Sequence, residues 1–386
     1  MEKQWELKKF VAPEIIFGLG AIDLAGRYAV NLGARKVMVV SDSGVIAAGW
    51  TKRVTDSLTE AGLSYEVFAE ISANPRDHQV MAGAQFYHAQ RCNALLAVGG
   101  GSPMDCAKAI GIVASNGGDI REFEGVDKVA HPMPPLLCVP TTAGSSADVS
   151  QFAIITDSER HVKMAIVSKT IVPDIALIDP NTLLTMPDYL AACTGVDALV
   201  HAIEAYVSNV HWPLADLHAL EAIRLIHTYL PLAIAQPQEV NYRAQVMLAS
   251  MEAGLAFSNA ILGAVHALAH SLGGLLDLPH GECNAILLEH VVAMNFSACP
   301  ERYNVIGEAM GLNLRNLSQE EQRHALVHEL ARFRRSVGLS RTLRELGMTR
   351  EQVPSLAGYA VQDVCMATNP RVLTRREVEE VYEQAF

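Results

Sequence analysis

The sequence predicts two structural parts, an α/β domain with a parallel sheet over residues 1–186 and an all-α domain over residues 187–386. Three observations support this division. A chain of 386 residues exceeds the length that one hydrophobic core usually serves. Short apolar, β-branched runs alternate with helical stretches up to residue 179, which is typical of a parallel sheet covered by helices. From Pro187 onward the strand pattern stops, so we place the boundary near residues 184–187.

The individual elements follow from hydrophobic periodicity and from turn residues. Strands are predicted at residues 36–42, 65–70, 94–99, 136–140 and 175–179, with helices at 44–61, 76–91 and 102–116. Residues 152–157 and 161–167 predict a hairpin inserted after the fourth strand. The second part predicts helices at 188–208, 213–230, 240–257, 259–272 and 284–296.

Composition narrows the class of protein. The net charge is −12 without a block of like charges, which argues against a nucleic-acid partner or an anionic membrane surface. No apolar run approaches the ~18 residues that a membrane span requires, and the first ten residues lack the apolar core of a signal peptide. The seven cysteines form no CxxC pair. We therefore expect a soluble, cytoplasmic protein that acts on a small molecule.

One stretch, residues 254–284, carries three histidines among small and apolar residues. His266 and His270 are four residues apart, so one helical face would present both rings. His280 follows Pro279, and we expect the helix to break between residues 273 and 281, where three glycines and this proline occur. A turn there would bring the third imidazole back toward the first two.

Upstream, Asp197 and His201 show the same four-residue spacing. A metal centre explains why these polar side chains occupy apolar surroundings. Without a metal, each side chain would need its own hydrogen-bond partner, because a buried polar group left unpaired costs roughly 1 to 3 kcal/mol. His324 and His328 share the spacing, but their neighbours are charged, which indicates an exposed amphipathic helix. The predicted metal ligands are Asp197, His201, His266 and His280.

Two glycine-containing segments of the first part are candidates for binding a phosphate. Residues 18–23 (GLGAID) begin like a dinucleotide fingerprint, but no clear strand precedes them and we interpret them as a turn. Residues 98–105 (VGGGSPMD) leave a buried strand and enter a helix, with Ser102 suited to cap it. Glycines there let a pyrophosphate approach the backbone and the helix N-terminus. The alternative is an ordinary tight turn.

A second loop and one carboxylate strengthen the nucleotide interpretation. Residues 140–146 (PTTAGSS) also follow an apolar strand, and parallel sheets bind ligands at the carboxyl ends of their strands. Asp42 ends the first predicted strand, where a carboxylate accepts from a ribose 2′-hydroxyl and repels a 2′-phosphate. This predicts NAD rather than NADP. A helix-capping role for Asp42 is the alternative.

Taken together, these motifs resemble the iron-containing (group III) alcohol dehydrogenases along the whole chain. The resemblance rests on PEIIFGLGA, GGGSPMDCAKAIG, PTTAGSS, IALIDP, TGVDALVHAIEAY, PHGECNAILLEHV and DVCMATNPR. The similar branches include propanediol dehydrogenases, lactaldehyde reductase and butanol dehydrogenases. The resemblance implies the dehydroquinate synthase-like fold, a nucleotide-binding sheet domain followed by a helical metal-binding domain.

The resemblance also implies roles for individual residues. The four predicted ligands would hold Fe²⁺, with Zn²⁺ as a second possibility because it competes well for such donors. His270 would lie beside the nicotinamide and the substrate, where it either relays the hydroxyl proton or only orients its neighbours. Phe152, Phe257 and Cys365 would line the substrate pocket, and the chain would form a homodimer or a larger homo-oligomer. The implied NAD contacts are Asp42, Asn74, Gly99, Gly100, Gly101, Ser102, Asp105, Thr141, Thr142, Ser145 and Lys163.

The predicted reaction is reversible hydride transfer between a small alcohol and NAD⁺. A divalent cation lowers the pKa of an alcohol that it binds and polarises the carbonyl of the aldehyde in the reverse direction. No lysine or arginine occurs between Arg243 and Arg302, so this segment offers no partner for a phosphate or a carboxylate. The expected substrate is a small neutral primary alcohol or diol, and Phe152 favours an apolar pocket.

Two other functions stay open at this point. Residues 145–150 (SSADVS) resemble a branch of alcohol-dehydrogenase-like regulatory proteins of ethanol oxidation. Such a protein would bind the same ligands but turn over slowly. A metal-dependent lyase similar to dehydroquinate synthase would need basic residues near the metal, and the segment around the three histidines lacks them.

Overall fold

The computed structural model describes residues 7–160, 162–276 and 278–386. The first part is a six-stranded, entirely parallel sheet with the strand order β1-β9-β6-β4-β2-β3, and a smaller three-stranded sheet lies beside it in the order β5-β8-β7. The strands are β1 (Glu14–Phe17), β2 (Lys36–Val40), β3 (Ser64–Phe68), β4 (Ala94–Gly99), β5 (Gly125–Val126), β6 (Leu136–Pro140), β7 (Phe152–Asp157), β8 (Val162–Val167) and β9 (Ile175–Ile178).

Helices cover both faces of the large sheet. Its central strands are apolar and buried along their whole length, which is what a sheet covered on both faces requires. Two separate apolar clusters result, one on each face. The helices of this part are α1 (Ala25–Asn31), α2 (Ser43–Ala47), α3 (Trp50–Glu60), α4 (Asp77–Ala89) and α5 (Gly101–Asn116).

Neighbouring strands β4 and β6 end side by side. Gly99 is paired with Pro140, and the amide of Thr141 donates to the Gly99 carbonyl at 2.8 Å. The two loops that the sequence selected as nucleotide loops therefore leave the sheet at the same edge and next to each other. This is the position at which parallel sheets bind their ligands.

The second part contains helices and short 3₁₀ turns over a large shared core. Among the described residues, α6 alone is long and apolar enough to cross a bilayer, and α8 with α9 would qualify as a bent pair. In α6 the apolar 18-residue window is 89% buried inside the protein, as in the core helix of a globular domain. The helices are α6 (Asp188–Val207), α7 (Pro213–Ala235), α8 (Val240–Ala260), α9 (Ala264–Leu276), α10 (His280–Asn295), α11 (Pro300–Ala309), α12 (Gln319–Ser336), α13 (Val353–Ala360) and α14 (Arg375–Gln384).

Several element predictions were wrong in detail. A short edge strand, β1, does precede the turn at residues 18–23, and it was missed because only four residues pair with β9. The predicted helix 44–61 is two helices, since Gly49 adopts a left-handed conformation with φ +88°. Residues 273–274 continue α9 rather than breaking it, and α10 begins at His280 instead of residue 284.

The predicted hairpin is present as the antiparallel pair β7 and β8, although His161 lies outside the described residues. The sequence did not show that β5 extends this hairpin to a third strand by pairing with β8. A two-residue strand carries no periodicity, which explains the omission. The resulting small sheet contacts α5 through β7 and α9 through β8, so it lies between the nucleotide loops and the histidine-bearing helices.

Candidate active site

Four side chains from three helices converge on one point. Helix α6 presents Asp197 and His201 one turn apart, α9 carries His266, and α10 begins with His280. The three histidine Nε2 atoms lie around a single oxygen, Oδ1 of Asp197, at 3.9 Å for His201, 3.6 Å for His266 and 3.7 Å for His280. The helix break before α10 is shorter than predicted, yet it suffices to bring the third ring to the other two.

The donor atoms fit a divalent metal ion. Four ligands about 2.1 Å from a tetrahedral ion lie roughly 3.4 Å apart, slightly less than the separations observed here. Nitrogen and oxygen donors of this kind suit both Fe²⁺ and Zn²⁺. Asp197, His201 and His266 are no more than 5% exposed, so the cluster is a buried polar group for which a bound cation supplies the missing partner.

Burial and mutual charge set the protonation of these groups. Burial opposes ionisation of Asp197, but the adjacent histidines, first of all His201, hold the pKa of this carboxyl far below its usual range. Burial lowers the pKa of His201 to about 3 and that of His280 well below 6.5. Three of the four candidate ligands are therefore already in the deprotonated form that metal binding requires.

His266 differs from the other two histidines because a buried carboxylate faces it. Glu204 Oε2 lies 2.6 Å from His266 Nδ1, and the other oxygen of Glu204 accepts from the Val265 amide at 2.6 Å. Burial alone would lower the pKa of His266, but the charge of Glu204 raises it to about 9. Glu204 lies seven residues after Asp197 on the same helical face, but no role was predicted for it.

The side-chain amide of Asn284 lies among the donors. Its Nδ2 is 2.6 Å from Oδ1 of Asp197 and 3.2 Å from the Nε2 atoms of both His266 and His280. Its own Oδ1 is buried without a hydrogen-bond partner in the described parts of the chain. An entering cation would therefore displace this amide. The sequence did not predict that Asn284 belongs to this site. Its position one helical turn after His280 could have indicated it.

His270 lies beside the four donors and has a carboxylate of its own. Its Nδ1 is 2.8 Å from Oδ2 of Asp363, and its ring stacks on His280 with centroids 5.3 Å apart. Burial would raise the pKa of Asp363, but the positive charge that His270 can carry holds it well below the usual range. Asp363 also accepts from the Cys365 amide at 2.8 Å. Among the described residues, the Nε2 atom of His270 makes no hydrogen bond, so Asp363 holds this ring through Nδ1 alone.

The two nucleotide loops pack against each other through their glycines. A Cβ on Gly101 would lie 2.9 Å from the Cβ of Ser145, and one on Gly100 would lie 3.1 Å from Thr142. Gly144 in turn lies against α6, since a Cβ there would be 2.6 Å from the carbonyl oxygen of Thr194. The loops therefore reach α6 only three residues before Asp197.

The other predicted NAD contacts occupy more varied positions. Asp42 caps α2 by accepting from the Val45 amide at 2.9 Å, so the alternative capping role is present in the structure. Ser102 donates its hydroxyl to the Ala73 carbonyl, which places it beside Asn74. Asp105 accepts from the Ile154 amide of β7 at 3.2 Å, and burial raises its pKa to about 6.

The predicted substrate residues form an apolar wall beside the metal donors. The ring of Phe257 stacks on His201 with centroids 4.3 Å apart, and the ring centroids of Phe152 and Phe257 are 5.6 Å apart. Cys365 is buried, two residues from the partner of His270. All three predicted residues are thus near the cluster.

Two cations approach this region from other parts of the chain. Arg341 forms hydrogen bonds of 2.7 and 2.6 Å with the buried carboxylate of Glu282, two residues after His280. Lys163 of β8 has its Nζ 3.8 Å from the position that a Cβ on Gly273 would take. The segment between Arg243 and Arg302 contains no lysine or arginine, as stated from the sequence, but other elements bring Arg341 and Lys163 close to it. Local sequence cannot show what other elements contribute.

The second HxxxH pair behaves differently. His324 and His328 are exposed on α12, and His324 pairs with Glu320 at 3.1 Å on the same helix. The same spacing therefore lies on an exposed helix surface in one case and in a buried cluster in the other. The surrounding residues decide between the two outcomes.

Comparisons with known proteins show the family of this chain. Residues 12–180 match the family described as iron-containing alcohol dehydrogenase, and residues 191–386 match the C-terminal part of the Fe-containing alcohol dehydrogenase family. The NAD-dependent methanol dehydrogenase of Bacillus methanolicus is 37% identical over 98% of this chain and 99% of its own. The 1,3-propanediol dehydrogenase of Citrobacter freundii is 39% identical over 98% of both. The crystal structure of a 1,3-propanediol oxidoreductase superposes with a TM-score of 0.96 at 37% identity, covering 99% of this chain and all of its own.

The parallel sheet, the cluster of metal donors and these similarities define an oxidoreductase that acts on alcohols. The chain belongs to the iron-containing alcohol dehydrogenase family. The fold and the family that the sequence predicted are confirmed.

Proposed function

We propose that this protein catalyses reversible hydride transfer between a small neutral primary alcohol or diol and NAD⁺. The observation that carries the proposal is the convergence of three imidazole nitrogens on one aspartate oxygen, next to a loop that leaves the parallel sheet. The curated relatives act on methanol and 1,3-propanediol according to their names, which favours a small hydroxyl substrate here.

Iron and NAD are the cofactors. Asp197, His201, His266 and His280 would hold Fe²⁺, and Zn²⁺ suits the same donors. When bound, the cation acts as a Lewis acid on the substrate oxygen. The rest of the chemistry falls to side chains: the ligands are fixed on three helices, and the apolar wall excludes water from the reacting atoms.

His270 is the proposed carrier of the hydroxyl proton. Asp363 fixes its Nδ1 at 2.8 Å, so the ring is oriented and Nε2 remains available on the side of the site. The alternative noted from the sequence, a histidine that only orients its neighbours, predicts that substitution would weaken metal binding. A proton carrier instead predicts intact metal binding with slow turnover.

We place NAD along the edge formed by the ends of β4 and β6. The helix N-terminus at Gly101 offers free amides to the pyrophosphate, and Thr141, Thr142 and Ser145 line the opposite loop. Asp42 would face the ribose; one of its oxygens caps α2, and the other can still accept from a 2′-hydroxyl. A negative charge at this position favours NAD over NADP.

The apolar wall narrows the substrate. Phe152, Phe257 and Cys365 present no charge to a bound molecule, and Arg341 is neutralised by Glu282. The second cation, Lys163, is assigned to the NAD contacts. A neutral alkyl chain fits such a wall better than a phosphate or a carboxylate does. We therefore retain methanol to butanol and the propanediols as the test set.

Organisation and location complete the proposal. We propose two domains, residues 1–186 and 187–386, a homodimeric or larger assembly, and a cytoplasmic location. The separate family matches to residues 12–180 and 191–386 support this division. The regulatory alternative has no support from the relatives, whose names are those of dehydrogenases.

The experiment that tests the proposal is anaerobic purification followed by metal analysis and an NADH assay. Methanol, ethanol, 1-propanol, butanol, 1,2-propanediol and 1,3-propanediol are compared before and after addition of Fe²⁺. We expect turnover that depends on metal and is lost in His266→Ala but kept in His324→Ala, which removes a histidine of equal spacing. A protein that holds one metal per chain and binds NAD yet shows no turnover would contradict the proposal.

A further inference from the structure

The three candidate histidine ligands are held in different ways. His266 has its Nδ1 2.6 Å from Glu204. The Nδ1 atoms of His201 and His280 are buried without a hydrogen bond of normal geometry among the described residues, although the backbone of Gly144 is close enough to His201 to influence its pKa. Only one ring of the three therefore has a charged group that fixes its orientation and its tautomer.

A histidine binds a metal through the nitrogen that carries no proton. In the neutral ring, an acceptor on Nδ1 keeps the single proton there and leaves Nε2 as the donor atom, and a carboxylate also makes Nε2 a stronger ligand. Nε2 of His266 is the atom that faces Asp197, at 3.6 Å. The carboxylate on its other side selects the tautomer that the cluster requires.

The contacts of Glu204 explain why a carboxylate, and not an amide, is needed. One oxygen accepts from His266 Nδ1 and the other from the Val265 amide at the start of α9. Glutamine has only one acceptor oxygen for these two donors. If it keeps the helix contact, its N–H₂ group faces Nδ1 and drives the ring proton to Nε2.

We propose that Glu204 is a positioning residue that holds His266 in its metal-binding tautomer and so strengthens binding of a divalent cation by this cluster. The inference rests on the metal site of the proposed function. Glu204 is 4% exposed and lies on α6 with Asp197 and His201, so a single helix supplies two candidate ligands and the support of a third.

The test measures Zn²⁺ affinity of the metal-free full-length protein by competition with a chromophoric chelator, without any assay of turnover. Glu204→Gln is expected to weaken binding about 10-fold to 100-fold. The absorption bands of Co²⁺ bound at the site are expected to change as well, because a ring protonated at Nε2 is lost from the ligand set. Far-ultraviolet circular dichroism of the metal-free protein checks that the variant is folded.

Two control variants separate the tautomer from simple structural support. Asn369→Ala removes the acceptor of the Ala264 amide, 3.2 Å away at the same helix end, without touching His266. Glu329→Gln alters a second histidine–glutamate contact, 2.6 Å from His227, in a different helix pair. Both are expected to keep the Zn²⁺ affinity of the wild type within about threefold.

The outcomes are distinguishable. Unchanged Zn²⁺ affinity in Glu204→Gln would overturn the proposal. An equal loss of affinity in Asn369→Ala would also overturn it, because Glu204 would then act only as a cap at the start of α9. If Glu204→Gln does not fold, Glu204→Asp decides: the shorter side chain is expected to lose several-fold in affinity, and wild-type affinity would again overturn the proposal. A wild-type protein that binds no Zn²⁺ would contradict the metal site itself.

Discussion

The proposed metal centre and the proposed nucleotide edge of this protein are built in opposite ways. The metal centre consists of side chains: Asp197, His201 and His266 are buried, His280 is partly buried, and each is positioned by a helix. The nucleotide edge consists mainly of backbone, where glycines let two loops approach each other within van der Waals distance. Removing a side chain should therefore disable the first region, whereas adding one should disable the second.

Asp197→Ala is expected to have the largest effect, and it acts on the metal centre. Oδ1 of Asp197 is the atom around which the three Nε2 atoms gather, and loss of a buried charged partner costs roughly 3 to 5 kcal/mol. Metal affinity should fall on the order of a thousandfold, and turnover should fall with it. Asp188→Asn, an exposed carboxylate at the start of the same helix, is the control and should bind metal normally. Metal content after dialysis, measured on both variants, decides the point.

Gly101→Ala tests the nucleotide edge in the opposite way, because it adds a side chain instead of removing one. The added methyl would meet Ser145 at 2.9 Å, closer than real Cβ contacts, so the loops must separate. Overpacking of this kind costs roughly 1 to 3 kcal/mol, and we expect the KM for NAD⁺ to rise about tenfold to a hundredfold. Metal content should not change. Gly358→Ala, whose methyl would have its nearest neighbour at 3.9 Å, is the matched control. A loss of metal in Gly101→Ala would show that the two regions are not independent.

The same contrast explains what could be predicted from the sequence. The metal donors were visible because histidine and aspartate in apolar surroundings require a reason, and helical spacing places them on one face. The glycine loop was visible because three consecutive glycines after a buried strand are informative. These signals are local and chemical.

What the sequence could not show depends on tertiary packing. Asp363 lies 93 residues from His270 along the chain, and no local pattern links them. Arg341 reaches Glu282 from 59 residues away, so an argument from the missing cations of one segment could not detect it. Helix ends were misplaced for a related reason: His280 opens α10 directly after Pro279, where the pattern suggested a longer turn.

A third substitution tests whether His270, beside the metal ligands, carries the substrate proton. Asp363→Asn keeps a side chain of the same size but removes the charge that fixes Nδ1 of His270. We expect kcat to fall about tenfold while metal content and KM for NAD⁺ stay unchanged. This variant separates a proton carrier from a structural histidine. If metal content falls in parallel with kcat, His270 is not the proton carrier and only orients its neighbours.

The smallest expected effect concerns Asp42 at the nucleotide edge, the one place in that region where a side-chain charge is invoked. Asp42→Asn keeps the cap on the Val45 amide, because asparagine caps helices as well as aspartate does, and it removes only the charge. Repulsion between exposed charges about 4 Å apart is roughly 1 kcal/mol, so the preference for NAD⁺ over NADP⁺ should weaken about fivefold. The melting temperature should stay the same. The ratio of kcat/KM for the two cofactors is the measurement, and an unchanged ratio would assign Asp42 to the helix cap alone.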